Sequence, residues 1–361
     1  RKVTTTTPSF LLHHSFPFSQ SVVQIYVAMA QTKLNNIDTD RGQHPGGGRR
    51  AVPKKRSCGE SFKTTEEERC YDHFGIEERK KTRKNTSWDT FMGSFSQLQL
   101  QEDGVGCELY SFNKEIEQKI CFDKHSTEKW SCTTKTMRSI LVDWLVLVHH
   151  AHSFSVSSLF LAVSILDRYY AATGELPQRN SFQAHGIACL LLATKYHESR
   201  PLRIQECVTY TAGSCTAEQV LKVESKILST IGFRLAVPTV HTFVQIFLST
   251  SSLVPDAQNL TAYISEMCLY EAELLKFAPS LVALSAIFLA LSPVGASESE
   301  RKQTAWEETG KCSNYRMDDF EKCMAAIKGQ LKSTIYTRSH RKLEAVDRKY
   351  PSARAKLNLA D

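Results

Sequence analysis

The sequence predicts an all-α protein built from two similar helical units. Three observations carry that expectation. From Leu109 to about Tyr336, apolar residues recur at spacings of three and four, the period of a helix face. No stretch alternates apolar and polar residues as a convincing set of strands would. The segments SFQAHGIACLLLATK and PSLVALSAIFLALS share an alternation of small and large residues around Ala184/Ala283 and Leu190/Leu289. That likeness suggests two copies of one unit of about 100 residues each.

Taken in order, residues 1–105 are expected to form a disordered N-terminal arm. GQHPGGGRR, TTEEERC and IEERKKTRKNTS combine blocks of charge with few aliphatic residues, so little burial offsets the entropy of ordering them. At its start, FLLHHSFPFSQSVVQIYVAMA has the outline of a signal peptide ending at Ala28-Met29-Ala30. His13, His14, Ser15, Pro17, Ser19 and Gln20 interrupt its apolar run, so the favoured expectation is that Met29 initiates translation and the preceding residues are read through from upstream.

The first unit is expected over 106–236. In MRSILVDWLVLVHHAHSF, residues Met137, Ile140, Leu141, Trp144, Leu145 and Val148 fall on one helical stripe. SLFLAVSILDRYY and FQAHGIACLLLATKY are apolar nearly all round, as buried helices are. Val220, Leu221, Val223, Ile227, Leu228 and Ile231 mark an amphipathic helix with Gly232 as its stop signal. The second unit is expected over 237–345. It opens with a helix near Pro238, continues with an amphipathic stretch over 256–276 and the apolar PSLVALSAIFLALS, and closes with a helix near 316–335. Residues 346–361 are read as a tail.

Charge is unevenly spread over these parts. Residues 1–100 hold 16 basic and 10 acidic groups, residues 101–321 hold 19 and 25, and residues 322–356 hold 10 and 2. The overall +7 therefore describes an acidic body with basic flanks, which argues against a uniformly basic nucleic-acid protein. No run of 18 apolar residues occurs, so no helical membrane span is expected. The 11 cysteines include no CxxC pair, so neither a disulfide framework nor a zinc site is expected, and free thiols in a reducing compartment are the better reading.

Catalytic signatures are missing. Gly46-Gly47-Gly48 lacks the strand before it and the Lys-Ser/Thr after it that a phosphate loop requires. His149, His150 and His152 diverge around a helix and cannot share one face. His197-Glu198 lacks the second histidine of a zinc-protease helix. No cofactor and no metal are expected. What does stand out is charge inside apolar helices, at Arg138, Asp143, Asp167, Arg168, Lys195 and Glu224. A buried unpaired charge costs several kcal/mol, so such groups are paired internally or kept for a partner. The plain alternative is that each reaches water from a helix edge, and Lys195 also suits the C-terminal end of its helix dipole.

Five segments in order, MRSILVDWLVLVHHAHSF, FLAVSILDRYY, GIACLLLATKYHES, VLKVESKILSTIGFRLAVPT and APSLVALSAIFLA, resemble those of a cyclin of the mitotic A/B group, over about Leu109 to Tyr350. The resemblance implies tandem five-helix cyclin folds and a non-enzymatic regulatory subunit that forms a heterodimer with a cyclin-dependent protein kinase. It matches Lys195 and Glu224 to the pair that grips backbone around the kinase's mobile helix, with Leu192, Tyr196, Leu228 and Leu235 excluding water there. Docking would push that kinase helix inward, completing its ATP-positioning Lys–Glu pair. Arg138 and Asp167 match an internal ion pair between the first two helices of the fold.

The resemblance also matches Met137, Ile140, Leu141, Trp144, Phe182 and Gln183 to a patch that holds substrate motifs of the Arg-x-Leu type, although part of this stripe could equally pack as core. Leu147 replaces an acidic or amide residue that receives the motif's arginine in several relatives. His197 replaces the first of two acidic residues common after the Lys-aromatic pair, which adds a titratable group near the expected interface. In the arm, Arg49, Arg50, Lys54, Lys55 and Arg56 form a candidate nuclear import signal, implying a nuclear and cytoplasmic protein. Residues 1–105 contain neither an RxxL nor a Lys-Glu-Asn destruction motif. The rival expectations are a transcription-associated scaffold using the basic tail on nucleic acid, which would bind with steep salt dependence, and an all-α enzyme, for which no constellation is found.

Overall fold

The computed structural model describes residues 105–120, 132–175, 178–249, 255–291, 315–341 and 343–356. These are helical throughout, with no strand among the described residues. The first unit contains α2 (Cys132–Ala151), α3 (Val156–Thr173), α4 (Arg179–His197), α5 (Ile204–Tyr210) and α6 (Ala217–Thr230). Preceding it is α1 (Val105–Ile120). The second unit contains α7 (Val240–Ser249), α8 (Pro255–Cys268), a short 3₁₀ turn (Ala272–Lys276), α9 (Pro279–Leu291), α10 (Met317–Arg341), α11 (Ala345–Lys349) and α12 (Pro351–Lys356).

Each unit is organised around a central buried helix. In the first, α4 packs against α3, α6 and α2, with Ile187, Ala188, Leu190 and Ala193 fully buried. The approach of α4 to α2 is closest at Gly186, where an added Cβ would stand 2.9 Å from Leu141 Cδ1. In the second, α9 packs against α8, α7 and α10, and Phe288 meets Phe320 edge-on at 5.6 Å. Ala184 and Ala283 are both buried, on α4 and α9 respectively.

Three features depart from the sequence-level outline. Thr239 rather than Pro238 opens α7, through reciprocal Thr239–Thr242 hydrogen bonds. The stretch 256–276 is not one helix. It breaks after Cys268, and the carbonyls freed there are taken by the first unit: Leu269 O accepts from Arg138 Nη1 at 2.8 Å, and Tyr270 O from Ser139 Oγ at 3.0 Å. Finally, residues 346–356 are more than a tail. Ala345 N and the Tyr270 hydroxyl both donate to buried Asp143 of α2 at 3.0 Å. Lys349 Nζ and the Tyr350 hydroxyl donate to Glu266 of α8 at 2.5 and 2.7 Å, and the Tyr263 hydroxyl donates to Asp347 at 2.9 Å. The chain end is thus a strap across both units.

Ahead of the first unit, α1 crosses to the second unit. Tyr110 packs against Phe243 and Phe247 of α7. Glu117 accepts from Ser280 N at 2.7 Å and Ser280 Oγ at 2.8 Å, placing a carboxylate on the unpaired amides at the start of α9.

Candidate functional site

Lys195 lies in the last turn of α4 and Glu224 in the middle of α6, and the packing of these two helices brings them together. Lys195 Nζ donates to Glu224 Oε1 at 2.6 Å. The pair is asymmetric: the lysine side chain is 47% exposed and the glutamate 12%. The glutamate therefore anchors an ammonium whose outer face is open to a partner.

Beside the pair on the same two helices, and after the end of α6, large apolar side chains are exposed. Tyr196 and Leu221 are each 49% exposed and Phe233 is 69% exposed, with half-buried Leu228 and Leu235 between them and the core. Leu221, Glu224 and Leu228 follow one another at spacings of three and four on α6, so they share a face. Leu192 is different. It is 3% exposed and supports the surface from beneath rather than forming it.

Leu221 and Phe233 were not among the residues singled out by sequence reasoning, and the local structure shows why Phe233 stands out. The end of α6 is a Schellman turn: Phe233 N donates to Leu228 O at 2.9 Å and Gly232 N to Ser229 O at 3.1 Å. Gly232 has φ +61° and Phe233 itself φ +60°. Glycine adopts that conformation freely, while a phenylalanine is rarely left-handed. The signal in the sequence was a bulky residue immediately after the helix-stopping Gly232.

Arg138 and Asp167 meet as the sequence suggested. Nε and Nη2 of Arg138 each donate to the carboxylate at 2.7 Å, a two-pronged bond between α2 and α3. Burial works against the charge, but the Asp167 carboxylate beside it holds the guanidinium above its ordinary pKa. With both side chains 2% exposed and the third donor spent on Leu269 O, the pair is internal.

The expected substrate-docking patch is corrected by the structure. Met137, Ile140, Leu141, Trp144, Phe182 and Gln183 are all at most 7% exposed. Leu141 is pressed against Gly186, Phe182 packs edge-on to Tyr170, and Gln183 Oε1 accepts from Ser214 Oγ. The stripe is core because α4 closes over it. Leu147 remains half-buried at its margin.

Glu198 serves the fold: its Oε1 accepts from Ser155 N at 2.9 Å, Ser155 Oγ at 2.7 Å and Ser158 Oγ at 2.5 Å, capping α3. Burial opposes its charge, but these bonds hold its carboxyl below the usual range. His197 is held below its ordinary value by burial, partly offset by Glu198.

His149, in the last turn of α2, and His152, just past its end, have separate partners. His149 Nε2 bonds Ser155 O at 2.7 Å, and His152 Nε2 meets the Tyr210 hydroxyl at 2.8 Å. No cluster of potential metal ligands occurs among the described residues, and no helix among them is long and apolar enough to cross a membrane. Cys189, Cys207, Cys215, Cys268 and Cys323 are free and buried; burial pushes the Cys207 and Cys323 thiols up to about 12. Arg49, Arg50, Lys54, Lys55 and Arg56, with the rest of the arm, lie outside the described residues.

Comparison with known proteins gives matches over both units. Residues 108–236 match the family model of the cyclin N-terminal domain, and residues 238–358 that of the cyclin C-terminal domain. Cyclin-A1 of Homo sapiens is 32% identical over 249 residues, covering 68% of this chain and 51% of that one. Cyclin-B2-1 of Oryza sativa subsp. japonica is 31% identical over 224 residues, covering 60% and 53%. The G2/mitotic-specific cyclin-A of Hydra viridissima is 32% identical over 224 residues, covering 61% and 51%. The chain thus spans about half the length of these curated relatives. Among solved structures, a viral cyclin from herpesvirus saimiri aligns with a TM-score of 0.51 at 16% identity, covering 63% of this chain and 97% of that one; that likeness concerns the fold.

Proposed function

The chain belongs to the cyclin family, and from that premise we propose that it is the non-enzymatic regulatory subunit of a cyclin-dependent Ser/Thr protein kinase, acting at S/G2 or G2/M. The observation that carries this reading is the Lys195–Glu224 pair, flanked along its two helices by exposed Tyr196 and Leu221. An ammonium and a carboxylate held 2.6 Å apart present a donor and an acceptor side by side. These suit the unpaired carbonyls and amides at the ends of a partner's helix. These apolar side chains exclude water when the partner seats, which strengthens both contacts. A partner helix held there is biased toward one of its positions, and a kinase whose ion pair depends on that helix is switched on.

The test is the double substitution Lys195→Ala with Glu224→Ala in the full chain. Helical content stays as in the unchanged protein, and co-purification with a cyclin-dependent kinase is lost. Truncating one side of a buried charge contact costs about 2–5 kcal/mol, enough to abolish recovery at micromolar concentrations. Retained binding by the folded double variant would overturn the proposed interface.

Of the ten basic residues in 322–356, three pair with carboxylates of the same fold. Lys349 is spent on Glu266 inside the fold, Arg348 pairs with Glu344, and Lys322 with Asp318. Nuclear entry through Arg49–Arg56 stays part of the proposal, tested by fusing residues 45–60 to a reporter.

A further inference from the structure

Two adjoining cavities lie in the seam between the units. The larger, about 100 Å³, has walls that include Phe160, Val163, Leu274 and Val282. The smaller, about 50 Å³, is lined in part by Arg168 and Lys276. Ser164, Pro238, Leu275, Phe277 and Pro279 line both, so the two form one cleft with an apolar end and a cationic end.

The charges of the apolar end are already committed. Arg138 and Asp167 bond to each other, and Glu271 Oε1 accepts from Glu273 N at 3.0 Å. In the cationic end, Glu117 is likewise saturated by Lys114 Nζ, Ser280 N and Ser280 Oγ. Arg168 is not. Its Nη1 is buried without a hydrogen-bond partner, and no carboxylate among the described residues pairs with it. The neighbouring charge is instead like-signed: burial first, then Arg234, hold its guanidinium below the ordinary value. Lys276 is 45% exposed and only 3.8 Å from Glu273, so it too can turn toward an anion.

Arg168 is half-buried, with its Nη1 enclosed. An enclosed cationic group without a counter-charge is costly, whereas Arg138, Asp167, Glu271 and Glu117 on the cleft walls each have an opposite charge or a donor. We infer that the cleft binds a small organic anion, its acid group on Arg168 and Lys276 and its aliphatic body in the larger cavity. The volumes set the ligand's size. One water needs roughly 15 Å³, and benzene has been held in an apolar cavity of about 150 Å³. About 50 Å³ therefore admits an acid group, and about 100 Å³ an aliphatic body smaller than an aromatic ring. A short branched-chain carboxylate fits both ends. This inference stands independently of the kinase reading.

The experiment uses the full chain and two near-isosteric probes, 3-methylbutanoate and its neutral analogue 3-methylbutanamide, with binding measured by calorimetry and saturation-transfer NMR. The carboxylate binds and the amide binds at least about tenfold more weakly, as expected for a charge-assisted contact of 1.5–3 kcal/mol. Arg168→Gln removes the preference for the acid. Lys276→Gln, at an exposed position, weakens the acid roughly threefold without changing the melting temperature, and keeps the test informative if Arg168→Gln fails to fold. Equal binding of acid and amide, no binding of either, or full affinity in folded Arg168→Gln would overturn the assignment.

Discussion

Arg138 is fully enclosed, and its guanidinium is satisfied on three sides by one carboxylate and one carbonyl. Its value is positional: it ties α2 to α3 and reaches across to the carbonyl exposed where α8 ends. His149 is the opposite case, a buried group kept neutral. Burial, reinforced by Lys349 and by His150 and His152, pushes it down to about 3 against its bond to Ser155 O. His241 is driven the same way, to about 4, by burial, Lys349 and His197. The unfolded chain takes up protons on these rings below pH 6.5, while the folded chain does not until about pH 3 and 4. Folding is thus opposed increasingly as the pH falls through that window, and stability rises with pH across it. His149→Gln keeps a donor for Ser155 O and removes the titration. Urea unfolding at pH 7 and pH 5 is expected to show a smaller loss of stability on acidification in this variant than in the unchanged protein.

At the scale of elements, the decisive features are how helices end and where they touch. Gly186 lets α4 lie against Leu141 with no room for a methyl group, which is what buries the α2 stripe. The Gly232–Phe233 turn ends α6 while holding an aromatic ring out in solvent at a left-handed φ. That conformation costs an ordinary residue roughly 1–2 kcal/mol, so its persistence at an exposed apolar side chain points to use by a partner rather than to folding. Phe233→Gly separates the two effects. Thermodynamic stability rises by about 1 kcal/mol as the strain is relieved, and affinity for the kinase falls. A variant that loses stability and keeps its affinity would place Phe233 in the scaffold instead.

For the whole molecule, the crossings that hold the two units together among the described residues include α1 on α7 and α9, Phe160 of α3 stacked on His241 of α7, Arg138 and Ser139 on the end of α8, and the strap 345–356 over α2 and α8. The strap depends on Lys349 and Glu266, whose side chains are 12% and 0% exposed. Removing one member of such a pair leaves the other charged and buried, at a cost of about 3–5 kcal/mol, whereas replacing both by apolar groups is often nearly neutral. Lys349→Ala is expected to destabilise by that amount and to open 343–356 to limited proteolysis. The double substitution Lys349→Met with Glu266→Leu should recover most of the loss. Equal protease resistance in Lys349→Ala would mean that the strap is held by its apolar contacts alone.

The sequence by itself determined the helical class and the two units, because period and apolar density are local properties of the chain. The pairing of Lys195 with Glu224 and of Arg138 with Asp167 came from the resemblance to cyclins, since residue types alone left each charge without an assigned partner. The outline of 256–276 as one amphipathic stretch did not show the break after Cys268, which depends on long-range donors: Arg138 and Ser139, 131 residues away, take the carbonyls of Leu269 and Tyr270. Met137, Ile140, Leu141 and Trp144, which the resemblance matched to a docking patch and which could also pack as core, are buried. A helical pattern specifies which face is apolar but not what lies over it. Only the tertiary structure decided that α4 packs on that face, that residues 345–350 tie the two units together, and that Leu221 and Phe233 stay exposed. Exposure is a property of packing between distant segments, and no local spacing encodes it.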